Sequence, residues 1–282
     1  MIYNISMIIT AREFELIKKH KGEKEFFLSV DFGTKVVAAR REGAFVVIDN
    51  RHKLPLESKV KSNFCYRITG NSISPIAFFS QDTNRYYKLL PTRDWPSFTI
   101  GSVPMHRVSC GSPRQDSLNK INLSRPRGVV LDTCMGLGYT AILSSSRSDK
   151  VYTFEIDRTV YVLAKMSPLS QELFKRENII IYKKDISQYI KEFAEDFFDC
   201  IIHDPPTFKL SPQLYSRSFY QQLYRVLKDN GNLFHYLPLY GVRRGINFPR
   251  QIIMKLKTAG FTVENSSCDN DVLCRKKKAA RR

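Results

Sequence analysis

The sequence predicts an α/β protein, a doubly wound, mainly parallel sheet preceded by a small β-rich domain. Three observations predict it. Short apolar runs at residues 128–131, 151–154, 179–182, 200–203 and 232–236 each lead into a stretch with helical spacing. That βαβα rhythm packs helices on both faces of a parallel sheet. The first run ends in an acid and two glycines, LDTCMGLGYT at residues 131–140, the way a first strand turns beneath a nucleotide. Residues 1–95 break the rhythm, with strand-like pieces alternating with turns.

In chain order, residues 11–20 read as a short helix. Residues 26–30, 35–39 and 44–48 are extended candidates, separated by Asp31, Phe32 and Gly33 and by Glu42 and Gly43. Residues 86–90 form another strand candidate before Pro91 and Pro96. Residues 96–124 hold Gly101, Pro104, Gly111 and Pro113 and are expected to be a linker that contributes to the site. The main domain spans 125–274. Its strands lead to helices at 139–146, 158–165, 186–193, 213–227 and 249–259, and a last strand starts at Phe261. The final eight residues, 275–282, read RKKKAARR and are expected as a tail, either a solvated end or a phosphate-seeking arm.

Length and composition allow one large domain or two unequal ones, with 282 residues and 43% hydrophobic content. The 45 Lys and Arg outnumber 27 Asp and Glu, for a net charge of +18. A surplus of that size points to a polyanionic partner, most often nucleic acid; the bland alternative is a basic soluble protein. Six cysteines form no CxxC pair, and five histidines form no HExxH. Reduced thiols of a cytoplasmic protein and no metal are the expectation. No apolar run reaches membrane-spanning length, and the N-terminus lacks the charge, core and cleavage order of a signal peptide.

Asp132 would repel a pyrophosphate. It suits a ligand carrying an ammonium and a sulfonium, such as S-adenosylmethionine (SAM). Cys134, Gly136, Gly138, Tyr139 and Thr140 line the same turn. Glu155, 23 residues past Asp132 (155 − 132), is placed to hold ribose hydroxyls, with Ile156 beside it and Asp157 as a helix cap. Asp185, before Ile186, is a candidate for an adenine amino group or for a helix cap, and one carboxylate can do both. The string HDPPTF, residues 203–208, follows the fourth strand, at the sheet end where ligands bind. Pro205 and Pro206 stiffen the bend. There Asp204 can accept one hydrogen of a base amino group, the Pro205 carbonyl can accept the other, and Phe208 can stack on the base. The bland reading of that string is a turn with a core phenylalanine.

Together these strings resemble a class I SAM-dependent methyltransferase over roughly residues 100–265, with LDTCMGLGYT, Glu155, Asp185 and HDPPTF as its four motifs. The chain is also similar to an archaeal-type family of RNA methyltransferases. That likeness rests on MHR at 105–107, DTCMGLGYTAI, IIHDPPTFKL, LYSRSFYQQLYRVLK and NLFHY. The resemblance implies a Rossmann-like fold, SAM as cofactor, and N4-methylation, including dimethylation, of cytidine in ribosomal RNA. Ribosomal RNA or ribosomal subunits would be the partner. One departure stands out: Thr207 separates the second proline from the aromatic, where amino-group enzymes place the ring directly after the prolines. Ring C5 chemistry is the weaker option, since it needs a nucleophilic thiol and Cys200 lies inside a strand.

His106 and Arg107 are candidates to cap the site or reach a phosphate, and His203 and His235 either face substrate or position the backbone. Tyr215, Phe219, Tyr220 and Tyr224 recur at helical spacing and read as core. Two rival readings stand beside the first. One is a methyltransferase or aminopropyltransferase acting on a protein or small molecule; the other is a non-catalytic protein that binds RNA or ribosomes.

Overall fold

Apolar runs and turn residues distribute into two compact units in the computed structural model, which describes residues 7–22, 24–107, 111–238, 247–265 and 270–277. One unit comprises Met1–Asp116 with Thr159–Gln171, the other Ser117–Arg158 with Glu172–Arg282.

The first unit is antiparallel. Strand β1 (Ile8–Thr10) runs into helix α1 (Ala11–Lys19). Thr10 caps that helix by accepting the Arg12 N–H, while the Glu13 carboxylate accepts the Thr10 N–H at 2.8 Å. Phe14 and Ile17, three apart, bury one face of the helix. Strands β2 (Phe26–Val30), β3 (Lys35–Glu42), β4 (Phe45–Ile48) and β5 (His52–Pro55) form a four-stranded meander. Strands β6 (Cys65–Thr69) and β7 (Ser72–Pro75) pair with β1 in the order β1-β6-β7. Strands β8 (Ala77–Ser80), β9 (Arg85–Leu90), β10 (Ser97–Ile100) and β11 (Val103–Pro104) make a third sheet. Asp31 and Phe32 are both left-handed, with φ of 54° and 58°. The Asp31 carboxylate offsets that strain by accepting the Ile8 N–H at 2.6 Å. The stretch 96–124, expected as a linker, is therefore structured: it contains β10, β11 and helix α2 (Pro113–Ser124). Pro113 opens α2, where a missing N–H costs nothing.

The second unit holds the expected sheet. Strands β12 (Val129–Asp132), β13 (Lys150–Phe154), β14 (Ile179–Tyr182), β15 (Phe198–His203), β16 (Leu227–Tyr236), β17 (Thr262–Asn265) and β18 (Asp271–Arg275) lie in the order β14-β13-β12-β15-β16-β18-β17. The first five are parallel, and β18 runs antiparallel to both of its neighbours. The connections reverse direction across the sheet between β12 and β15, so a crevice opens at their carboxyl ends. Helix α3 (Tyr139–Ser145) follows β12. Helix α4 (Arg158–Met166) follows β13 but from Thr159 onward groups with the first unit. Helices α5 (Glu172–Lys175), α6 (Ile186–Tyr189), α7 (Arg217–Val226) and α8 (Phe248–Thr258) complete the set. Leu131, Phe154, Phe198, Ile201, Tyr220 and Leu233 lie in one core cluster of this unit.

Three elements differ from the sequence reading. The helix expected over 213–227 begins as a 3-10 turn, Pro212–Tyr215, because the Ser216 hydroxyl accepts the Phe219 N–H at 3.1 Å and caps α7. The helix expected over 186–193 is one turn of α6 followed by a 3-10 turn, Ile190–Glu192. Strand β18 was not foreseen, and it takes in the first residue of the expected tail. Arg275 ends that strand, and Lys276 pairs with Asp196 at 2.6 Å and with the Leu227 carbonyl at 2.8 Å. Residues 278–282, Cys110 and Cys268 lie outside the described residues. Cys65, Cys134, Cys200 and Cys274 are free thiols, and burial pushes Cys200 up to about 12. Among the described residues no helix is long and apolar enough to cross a membrane.

Candidate active site

The carboxyl ends of β12, β13 and β14 align because the strands are in register, with Asp132 opposite Thr153 and Phe154 opposite Tyr182. Asp132 is completely buried. Its carboxyl accepts the Thr153 hydroxyl at 2.7 Å and the Thr140 hydroxyl at 3.2 Å. Desolvation pushes it up to about 7, against the pull of those two hydroxyls. The following turn is pinned to the sheet by the Met135 N–H, which donates to the Phe154 carbonyl at 2.7 Å. Gly136 and Gly138 are both left-handed, with φ of 54° and 79°. A Cβ on Gly138 would lie 2.5 Å from the buried Leu173 side chain, so the turn has no room for one.

Glu155 follows β13. Its carboxylate accepts the Asp157 N–H at 2.8 Å and the Gly136 N–H at 3.2 Å, so the acid and the glycine turn hold each other. Burial pushes Glu155 up to about 8. Ile156 beside it is 63% exposed, an apolar side chain presented to solvent. Half-buried Asp185 caps α6 through the Ser187 N–H at 2.8 Å.

The Asp204, Pro205, Pro206 turn follows β15 on the other side of β12. The Tyr215 hydroxyl donates to the Pro206 carbonyl at 2.8 Å and lies 3.4 Å from the Pro205 carbonyl. Burial raises that hydroxyl well above the usual phenol range. Phe208 meets Phe248 edge-on, with ring centroids 5.2 Å apart, and remains 36% exposed. Lys120, from α2, reaches Asp204 with Nζ to Oδ2 at 2.5 Å.

The second unit thus brings Asp132, Cys134, Gly136, Gly138, Glu155, Ile156, Asp185, Asp204, Pro205, Pro206 and Phe208 to the carboxyl ends of β12, β13, β14 and β15 and the segments that follow them. Four sequence readings are corrected. The Tyr139 ring and the Ile186 side chain are buried in the core, so they pack and do not face a ligand. The Thr140 hydroxyl is turned inward to Asp132. His203, read as a substrate contact, is sealed: its Nε2 donates to the Leu214 carbonyl at 3.0 Å, and its Nδ1 accepts the Thr133 hydroxyl at 2.8 Å. Desolvation lowers His203 well below the usual imidazole range, so it stays neutral and structural. His235 behaves alike: burial lowers it to about 3, and it bonds Tyr220 at 2.9 Å. His106 and Arg107 belong to the first unit, where the His106 Nδ1 bonds the Ser97 hydroxyl at 3.0 Å.

Lys120, Thr153 and the hydroxyl of Tyr215 were missed. For Lys120 the one available signal was the small residues Ser117 and Ser124, three before and four after it, on its side of α2. Among the described residues no group of three or more His, Cys, Asp or Glu is arranged to hold a metal ion.

Residues 159–269 match a family model described as S-adenosyl-L-methionine-dependent methyltransferase, and that family implies SAM as the cofactor. The chain is 45% identical over 181 residues to the uncharacterized protein MJ1233 of Methanocaldococcus jannaschii, covering 63% of this chain and 62% of that protein. It is 28% identical over 138 residues to the uncharacterized protein MJ0670 of the same organism, covering 41% and 38%. The chain therefore spans less than two thirds of the length of the curated relatives it matches. In fold it is similar to the spermidine synthase of Thermotoga maritima, with a TM-score of 0.54 at 15% identity over 93% of this chain and 84% of that one. It is likewise similar to MNMC2 of Aquifex aeolicus, with a TM-score of 0.51 at 17% identity over 68% and 70%.

Proposed function

We propose that the chain is a SAM-dependent methyltransferase acting on the exocyclic amino nitrogen of a base in RNA, with ribosomal RNA as the acceptor and N4 of cytidine as the position. The observation that carries this reading is Asp204 in a stiff Pro-Pro turn beside the glycine turn, at the carboxyl ends of β15 and β12.

The residues fit the cofactor. Two left-handed glycines, one with no room for a Cβ, let a ligand approach the backbone closely. Glu155 would hold the ribose hydroxyls, Asp185 the adenine amino group and exposed Ile156 the adenine face. When bound, SAM supplies an electrophilic methyl carbon. The protein's own work is positioning. Asp204 accepts one N–H of the target amine and the Pro205 carbonyl accepts the other, which turns the nitrogen lone pair toward the cofactor. The Tyr215 hydroxyl fixes the carbonyls of that turn.

Support for an RNA acceptor comes from the net charge of +18 and from the first unit. There Phe27 is 77% exposed, and Phe79 and Tyr86, directly opposite each other on β8 and β9, present their rings to solvent next to exposed Arg85. Such rings suit single-stranded bases, and we assign this unit the docking role. The likeness in fold to spermidine synthases keeps aminopropyl transfer as a second reading.

Calorimetry with SAM tests the cofactor, and tritiated methyl transfer onto RNA, ribosomal subunits and protein pools tests the acceptor. Mass spectrometry of the nucleosides then gives the position. Asp204→Ala is expected to keep SAM affinity nearly intact and to cut methyl transfer by about a hundredfold or more. Undiminished transfer by that variant, or no SAM binding by the wild type, would refute the proposal.

A further inference from the structure

Helix α2 is polar over most of its length, reading PRQDSLNKINLS, yet the side chain of Lys120 is only 5% exposed. A lysine is seldom buried without a charged partner, and here the partner is Asp204, 84 residues along the chain and placed by β15. The contact is held from both ends. Ser117 and Ser124, three before and four after Lys120, are buried on its side of α2, and their small side chains allow a close approach. The Ser124 hydroxyl donates back to the Lys120 carbonyl at 2.7 Å. The Ser124 carbonyl accepts Asn232 Nδ2 at 3.2 Å, which ties the end of the helix to β16. The ammonium is therefore a fixed part of the site, unlike a lysine on a free surface stem.

Its charge divides the possible acceptors into two classes. An alkylamine arrives at neutral pH as an ammonium and needs an uncompensated carboxylate. An aromatic amino group arrives neutral and needs only a hydrogen-bond acceptor. With Lys120 on Asp204 the carboxylate charge is already matched, so a second ammonium would sit against a buried like charge. The nearby acid, Asp132, is held by Thr140 and Thr153 and is completely buried. We propose that Lys120 sets the acceptor class by reserving the position beside Asp204 for a neutral amino group and excluding alkylammonium acceptors. This rests on the reading of the site as one for methyl transfer, and it tells against aminopropyl transfer to a polyamine. Like charges at contact distance in a partly buried site give a discrimination of about a hundredfold.

The test is binding of 1,4-diaminobutane to the full chain saturated with S-adenosylhomocysteine, at fixed ionic strength, for wild type, Lys120→Arg and Lys120→Met. Wild type and Lys120→Arg are expected to show no measurable binding, and Lys120→Met to gain about a hundredfold. A purely structural lysine would give no gain in Lys120→Met. That result, or wild-type binding as tight as that of Lys120→Met, overturns the proposal. Where Lys120→Met does not keep its melting temperature, Lys120→Gln is read in its place. Transfer of a methyl or aminopropyl group from its donor to the diamine by the wild type overturns the proposal without any variant. Failure of the wild type to bind S-adenosylhomocysteine would sink the underlying reading of the site, and this inference with it.

Discussion

Cofactor binding should expel a proton, and Glu155 sets how much. In the ligand-free protein burial pushes this carboxyl up to about 8, so at pH 7 it is about 90% protonated. Two ribose hydroxyls donating to it would favour the ionised form and return it toward the usual carboxylate range. Binding at pH 7 then releases about 0.9 proton from this group. The same linkage sets the affinity. Between pH 6.5 and 8.5 the ionised fraction of a group at about 8 rises from about 3% to about 76%, so binding tightens by about 25-fold, or about 2 kcal/mol. Titration calorimetry of SAM or S-adenosylhomocysteine in two buffers of different ionisation heat measures the release directly. Glu155→Gln should bind more weakly, with no release from this position and little dependence on pH. A release near zero in the wild type at pH 7, or an equal release in Glu155→Gln, would refute the assignment of Glu155 to the ribose.

Other outcomes follow from the same geometry. Asp132 and Glu155 bind protons more tightly in the folded chain than in the unfolded one, so they favour the fold below about pH 4, and that contribution is lost as pH rises through about 7 and 8. Thermal melting of the ligand-free protein should fall by several degrees from pH 6 to 8.5, and Asp132→Asn should flatten the slope. Gly138→Ala puts a Cβ against Leu173 at a φ of 79° and should cost about 1–3 kcal/mol in denaturant unfolding, with weaker SAM binding. Tyr215→Phe removes the donor to the Pro206 carbonyl; it should cost about 1 kcal/mol of stability and lower methyl transfer more than SAM affinity.

The central sheet was legible because its strands are continuous apolar runs: β12, β13, β14 and β15 all lie within two residues of the runs that announced them. Such runs read clearly because both faces of a parallel strand are covered. The glycine turn and Glu155 were legible through their spacing. What escaped notice lacked such a signal. β5, β7, β8 and β10 are four residues each, too short for alternation to stand out, and β18 inserts out of sequence between β16 and β17. Lys120 sits in a run of polar residues where a solvated helix face is the ordinary reading, and only its long-range partner reveals its place. His203 misled for the opposite reason. It directly precedes Asp204, but it is the last residue of β15, a strand buried on both faces, and its side chain turns into the core while Asp204 is half-buried.

The discontinuous make-up of the first unit bears on how the chain is made and cut. Its backbone leaves at Asp116 and returns for Thr159–Gln171, where Val160, Leu163 and Ala164 are buried. A ribosome must therefore reach residue 171 before this unit has all its parts, and by then β12 and β13 have already emerged. A fragment ending at residue 116 would keep the apolar cluster from Met7 to Ile68 but lack Thr159–Gln171. A cut between residues 116 and 117 would part Thr159–Gln171 from the rest of the first unit while leaving all of the second unit on one piece, so exchange of the first unit between proteins calls for two segments moved together.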